Sequence, residues 1–345
     1  MPNWYCTRED VKNAASIRGA SLNSTIDIII EGQSRAIDQA IGRFFLPRTG
    51  TKTYVWPPVN NYNPNILILD DWLISVTTLK TKAQDSSPTT ISSSDFFLEP
   101  HRSTVGSDVV EPYHRIEIDL SSTSSLDSGD TPQRSIEVVG SWGYNGASKS
   151  VGTVASGLSS SASATSFTCS DGSVIGVGDT LLIESEQLFV SGRSNAQVGS
   201  EALTGSVAAL QSTVTVPVTT GSNWSVGETI QVNSEKMFIE SITSNNLTVQ
   251  RAYDGSVLAA HSSSDAVHGF RVLTVERGIN GTTAATHANS ADISLYIVPS
   301  DIQLLVVQES IAAFYRLESG ENRSVSPDLE RMRNMVLHSY GTGYG

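Results

Sequence analysis

Glu186, Arg277 and His287 occupy positions equivalent to those of Glu235, Arg251 and His261, and these are the residues best equipped for chemistry. The equivalence rests on two repeated signatures. Val177-Gly178-Asp179-Thr180 followed by Leu181–Val190 returns 49 residues on, as Val226-Gly227-Glu228-Thr229 and Ile230–Ile239. Leu247-Thr248-Val249-Gln250-Arg251, Asp254-Gly255 and His261 return 26 residues on, as Leu273-Thr274-Val275-Glu276-Arg277, Asn280-Gly281 and His287. A Glu beside a His could move protons, and a His could ligate a metal. Neither His has a neighbouring His, Cys or paired carboxylate at ligand spacing, and a single enzyme seldom duplicates its acid. The spacing therefore predicts a repeated structural contact. Glu186 and Glu235 meet Arg277 and Arg251 or a backbone group, and His287 and His261 tie down the loops after the Asn-Gly and Asp-Gly turns.

Other acidic groups offer less. Asp70-Asp71, and Asp119 with Asp127 and Asp130, do not fit a spaced oxygen-ligand loop for calcium and read as solvated turns. No Ser–His–Asp arrangement, phosphate-cradling glycine loop or nucleotide fingerprint is present in the sequence. The expectation is a non-enzyme with no metal and no cofactor.

The order of the signatures is front half, complete module, back half. One module is thus expected to be inserted into a loop of its twin, with the pair filling 164–298 and the inner copy spanning about 205–268, lengths that suit small β-modules. Before it, Ser148–Ser163 reads as a flexible Ser/Gly linker. Thr7-Arg8-Glu9-Asp10 is a capping box that opens a short helix. Ile26, Ile29, Ile30, Ile37, Ile41 and Phe44 form one apolar stripe on a longer helix over about Thr25–Arg43. Strand-like runs follow at Thr53–Trp56, Ile66–Leu69, Trp72–Thr78, Phe96–Leu98, Tyr113–Leu120 and Ile136–Val139. After the modules, Pro299-Ser300-Asp301 opens one helix, and Ser326-Pro327-Asp328 opens another with Ser as its N-cap. The fold class expected is α+β. A helical core is made from residues 1–147 and 299–345 with a small antiparallel sheet, and it carries a large all-β insertion of two nested modules.

Composition narrows the function. Of 345 residues only 17% are charged, and the formal net charge is −13. An acidic chain is poorly suited to tight nucleic-acid binding, because phosphate contacts need Lys and Arg. It suits a surface that DNA slides past without sticking. Two cysteines, Cys6 and Cys169, supply no disulfide framework, which favours a reducing compartment. The start of the chain lacks the pattern of a signal peptide, and no run approaches the roughly 18 apolar residues of a membrane span, so no membrane association is expected.

Three segments resemble the head–tail connector (adaptor, or head-completion) family of tailed bacteriophages. The first is Tyr5-Cys6-Thr7-Arg8-Glu9-Asp10-Val11-Lys12 with Ala36-Ile37-Asp38-Gln39-Ala40-Ile41-Gly42-Arg43-Phe44-Phe45. The second is Thr53-Tyr54-Val55-Trp56-Pro57 followed by Leu69-Asp70-Asp71-Trp72-Leu73. The third is Gly140-Ser141-Trp142-Gly143-Tyr144 and then Ala312-Ala313-Phe314-Tyr315-Arg316. Together they cover about 1–145 and 299–340, and the doubled module lies outside them.

The resemblance implies a structural virion protein in the neck of the particle, assembled in the host cytoplasm. Its copies would form a ring of about twelve, closed by heterologous side-to-side contacts. The ring would dock under the portal protein, extend the DNA channel without specific DNA binding, and receive the next connector, stopper or tail protein. Portal contact is expected at 321–345, including Arg323, Arg331, Arg333, Tyr340 and Tyr344, through an arm that orders on binding. The alternative is a virion adhesin, a carbohydrate-binding protein acting through the β-modules, although their aromatic content is low. A glycan-degrading enzyme would need two carboxylates at a set separation, for which the sequence gives no cleft signature.

Overall fold

A computed structural model describes residues 3–58, 63–101, 111–319 and 326–341. The chain divides into two compact units. One contains Met1–Ala36, Ser148–Ile279 and Thr283–Gly345; the other contains Ile37–Ala147 with Asn280–Thr282. This grouping differs from the one read from the sequence.

Two helices come first, α1 (Arg8–Ala14) and α2 (Asn23–Ile41). The capping box at α1 forms as the sequence predicts: the Asp10 amide donates to Thr7 Oγ1 at 3.0 Å, and the Thr7 amide donates to Asp10 Oδ2 at 2.9 Å. Six strands follow, β1 (Arg48–Tyr54), β2 (Ile66–Thr81), β3 (Thr89–Ile91), β4 (Phe96–Glu99), β5 (Tyr113–Ile118) and β6 (Ile136–Trp142). They make one antiparallel sheet in the order β1-β6-β2-β5-β4, with β3 beside β2. Strand β6 alternates strictly, burying Ile136, Val138, Gly140 and Trp142. Its inward face joins Trp56, Leu67, Leu73, Ile116 and Ile118 in a core belonging to this unit. Asp70-Asp71 is not a turn; β2 runs through it. Lys52 on β1 bonds Asp71 Oδ2 at 2.7 Å, and Tyr54 donates to Asp70 Oδ1 at 3.0 Å, so side chains of β1, two strands away in the sheet, satisfy both carboxylates.

The other unit holds β7 (Ser148–Ser156), β8 (Ser166–Cys169), β9 (Thr180–Ile183), β10 (Glu186–Ala202), β11 (Thr215–Pro217), β12 (Thr229–Val232), β13 (Glu235–Thr243), β14 (Asn246–Gln250), β15 (Ala266–Glu276) and β16 (Asp292–Tyr296). Helices α3 (Ser300–Ser319) and α4 (Pro327–Gly341) end it. The first part of the expected linker is in fact β7, paired with β16 and β8, because Val151 and Val154 supply inward-facing residues and serine is tolerated on the outward face.

The ten strands form two rings. Pairing runs β10-β9-β16-β7-β8-β15 and returns from β15 to β10, which closes a six-stranded barrel around Leu158, Phe167, Leu181, Leu188, Leu273 and Ile293. Strands β15-β12-β13-β14-β11 continue into a second ring, closed by the Leu203↔Val218 bridge and filled by Val216, Ile230, Met237, Ile239 and Leu247. The register shows where one copy enters the other. Phe189↔Glu276, Val190↔Val275, Gly192↔Thr274 and Ser194↔Val272 in the outer copy match Phe238↔Gln250, Ile239↔Val249, Ser241↔Thr248 and Thr243↔Asn246 in the inner, bulge included. The inner hairpin turns at Ser244-Asn245. At the same place the outer hairpin is opened, and its two long strands β10 and β15 lead to the inner barrel.

The α+β expectation of a helical core is therefore corrected: the chain is mostly β, with sheets of six and ten strands and four α-helices among the described residues. Helices α2 and α3 do bury apolar residues, among them Ile26, Ile30, Ile37, Ile302, Leu305 and Val306, but α1 buries only Val11 and α4 buries none, and the three strand-built interiors make up most of the core. The region expected to be a small sheet has a 16-residue strand and its own interior. No described helix is long and apolar enough to cross a membrane.

Candidate functional site

The repeated polar residues converge into two matching cages. In the inner barrel, Glu235 opens β13, Arg251 follows β14, and His261 lies beyond the Asp254-Gly255 turn. Arg251 Nε and Nη2 donate to Glu235 Oε1 and Oε2, both at 2.8 Å. The amides of Ala252 and Ala259 donate to the same carboxylate at 2.9 and 3.0 Å, and His261 Nε2 lies 2.9 Å from Oε2. In the outer barrel Glu186 receives Arg277 Nε and Nη2 at 2.6 and 2.7 Å, the amides of Gly278 and Ala285 at 3.0 Å, and His287 Nε2 at 2.8 Å. The remaining guanidinium nitrogens close the surrounding loops. Arg251 Nη1 donates to Thr213 O and Arg277 Nη1 to Ala164 O, which are themselves equivalent positions.

Burial by itself would raise both carboxyls. The arginine fork, the two amides and the histidine outweigh it and hold Glu186 and Glu235 down to about 2. The side chains of Glu235, Arg251 and His261 are 0% exposed, so no substrate reaches them. Each cage is a cross-link that fastens two loops to a strand start. Among the described residues no three His, Cys, Asp or Glu side chains converge as a metal site.

One further buried pair escaped the sequence reading. Glu228, the partner of Asp179 in the repeat, takes Arg271 Nε and Nη2 at 2.7 Å each, and also the Gly172 and Ser225 amides. The repeated acid was a visible signal. Its cation was not, because the position equivalent to Arg271 is Asn245.

The residues expected to meet a partner lie on α4 or flank it in sequence. Arg323 and Tyr344 fall outside the described residues. Arg333 reaches the buried Glu309 of α3 at 3.4 Å, and Tyr340 donates to Asp301 Oδ1 at 2.9 Å, so both are engaged within the chain. Arg331 is exposed on α4 beside Glu330, Met335 and His338. Leu304, Tyr315 and Leu317 on α3, and Met335 on α4, are exposed apolar side chains, with Met335 at 64%. No protein-family model, no curated protein and no solved structure matches this chain.

Proposed function

We propose that this chain is a structural assembly subunit, the head–tail adaptor of a tailed bacteriophage. Its copies form a ring under the portal, extend the DNA channel and present a platform to the next connector or tail protein. The observation that carries this reading is α4. This helix keeps Leu329, Met332, Met335 and Val336 without one fully buried residue, and the adjoining α3 exposes Leu304, Tyr315 and Leu317. A helix of this length gains little stability alone, so a helix whose apolar residues are half-buried or, at Met335, exposed suits a contact made on assembly. Buried cages that only brace two barrels fit a scaffold. The net charge of −13 fits a channel wall that DNA passes. The three connector-like segments supply the partner's identity.

The test is the native mass of the full-length protein, alone and mixed with the portal of the same virion. A stoichiometric ring on the portal, lost when 321–345 is deleted, supports the reading. A monomer indifferent to the portal overturns it.

A further inference from the structure

A cavity of about 250 Å³ lies within the first unit, walled by α1, the segment leading to α2, and the strands that lead into the inner barrel. Its charge runs against that of the chain. Arg8, Lys12, Arg18, Arg193 and Lys236 line it, against only Glu9 and Asp254. Asp27 stands behind Arg8, pairing with its Nε at 2.7 Å. Five cations against these three carboxylates, with Asp179 also within electrostatic reach of Arg193, leave the cavity net positive in a protein whose overall charge is −13.

The carboxylates are already in use. Asp254 is shared by Lys12 at 3.0 Å and Lys236 at 2.8 Å, and Glu9 accepts the Val177 amide at 2.8 Å. Two guanidinium groups keep spare donors. Arg193 gives Nη2 to the carbonyls of Gly172 and Phe270, while its Nε is buried with no partner. Arg18 makes one side-chain bond, a long one of 3.5 Å to Asn13. It is held over the Tyr253 ring at 5.3 Å, and Tyr253 stacks in turn on Phe238. Stacking fixes a guanidinium before any ligand arrives, which lowers the ordering cost of binding.

We propose that this cavity binds a small phosphate ester in its dianionic form, with Arg18 and Arg193 as the principal donors. Two features select a phosphate over a carboxylate. Cations outnumber carboxylates, and the donors come from α1, from β10 and from the loop between the helices, so they surround an oxyanion. A carboxylate offers two oxygens on one side and a single charge, whereas a phosphate ester offers three oxygens to separate donors. The volume exceeds the needs of a lone oxyanion and leaves room for the ester's organic part. The inference goes beyond the adaptor role and needs neither ring nor portal.

The experiment is calorimetric titration of sn-glycerol 3-phosphate into the full chain at low salt, repeated with Arg18→Gln and Arg193→Gln, with glycerate and a single-stranded oligonucleotide as comparison ligands. One-site saturable binding is expected, weakened tenfold or more by each substitution. Arg18→Gln alters an exposed side chain, so an unchanged melting temperature makes it the deciding variant. Absence of saturation, or equal binding by wild type and Arg18→Gln, overturns the proposal. Tighter binding of glycerate overturns the choice of a dianion. Displacement of the ester by equimolar oligonucleotide would assign these cations to a nucleic-acid strand and overturn the small-ligand site.

Discussion

Arg251 and Glu235 form a two-pronged ion pair, 2.8 Å on each arm, with both side chains 0% exposed. Arg277 and Glu186 repeat it in the outer barrel. Replacing either arginine strands a buried carboxylate that still holds two backbone amides and a histidine. Breaking such a pair costs about 3–5 kcal/mol. Arg251→Met and Arg277→Met should therefore destabilise the protein by similar amounts, measured as the shift in urea midpoint at constant slope. A loss below about 1 kcal/mol for both would show that the cages do not brace the barrels.

The cages also set the acid limit. Glu186 and Glu235 have folded-state values lowered from 4.5 to about 2, because the arginine fork and amides overcome burial. Their contribution is complete above pH 4.5 and is lost as pH falls through 2. Asp179 behaves oppositely. Burial raises it to about 7, with Asp10 and Glu9 adding and the Gly176 amide and Arg193 opposing. Its contribution is complete below its ordinary 3.8 and is lost as pH rises through 7. Melting temperature should accordingly rise from pH 8 towards pH 5, then fall below about pH 4. Asp179→Asn should flatten the neutral limb and leave the acid limb unchanged. A neutral limb identical to wild type would remove Asp179 from this account.

The duplication was legible because its signatures carry fixed chemistry: a Gly before each β-hairpin, an Asp-Gly or Asn-Gly turn, and Glu, Arg and His at constant offsets. Those offsets pointed Glu186 and Glu235 to Arg277 and Arg251 or to a backbone group, and each carboxylate takes both an arginine and backbone amides. The closed barrels were not legible, since closure depends on the long-range pairing of β10 with β15 across the inserted copy. Serine composition made β7 look like a linker, although Val151 and Val154 carry the strand. Asp70-Asp71 looked like a turn because strands seldom place two acids in succession. Lys52 and Tyr54, on a neighbouring part of the sheet, resolve that conflict. The helical stripes were real, but an apolar stripe does not say how much of a fold it supports, and α4 supports none of the interior.

The two copies provide an internal control for backbone strain. Gly178 has φ +110°, and a Cβ there would lie 2.5 Å from the Trp4 ring and 3.0 Å from Cys6 O. Its counterpart Gly227 has φ +91° but meets only Ser173 Cβ, at 3.9 Å. Gly227→Ala should cost about 1–2 kcal/mol of backbone strain alone. Gly178→Ala should cost more by roughly 1–3 kcal/mol, because the Trp4 ring must move as well. Equal costs in thermal melts would mean that the N-terminal segment yields freely.

Asp254 fastens α1 to the inner barrel through Lys12 at 3.0 Å and the Gly19 amide at 3.1 Å, and it also takes Lys236 at 2.8 Å. The outer copy has Asn280 in that position, so the carboxylate belongs to this contact and not to the shared module. A double-mutant cycle with Lys12→Met and Asp254→Asn should give a coupling of about 1 kcal/mol, reduced at high salt because the pair is only partly buried. A coupling near zero would leave the Gly19 amide as the bond through which Asp254 holds the N-terminal segment.

Helix α4 provides the sharpest separation of stability from assembly. Its links to α3 include Arg333 with Glu309 at 3.4 Å and Tyr340 with Asp301 at 2.9 Å, and it buries no residue of its own. Partly exposed pairs of this kind contribute little, about 0–1 kcal/mol each. Deleting 321–345 should therefore lower the melting temperature by only a few degrees, given roughly 2–4 °C per kcal/mol in a chain of this size. The same deletion should abolish any stable association that depends on the exposed Met335 and the half-buried Leu329, Met332 and Val336 of α4. A fall of more than about 10 °C would mean that α4 is integral to the fold, and loss of binding on truncation would then report unfolding instead of a missing contact. A small fall with assembly intact would free α4 of both roles and move the interface to the exposed Leu304, Tyr315 and Leu317 of α3.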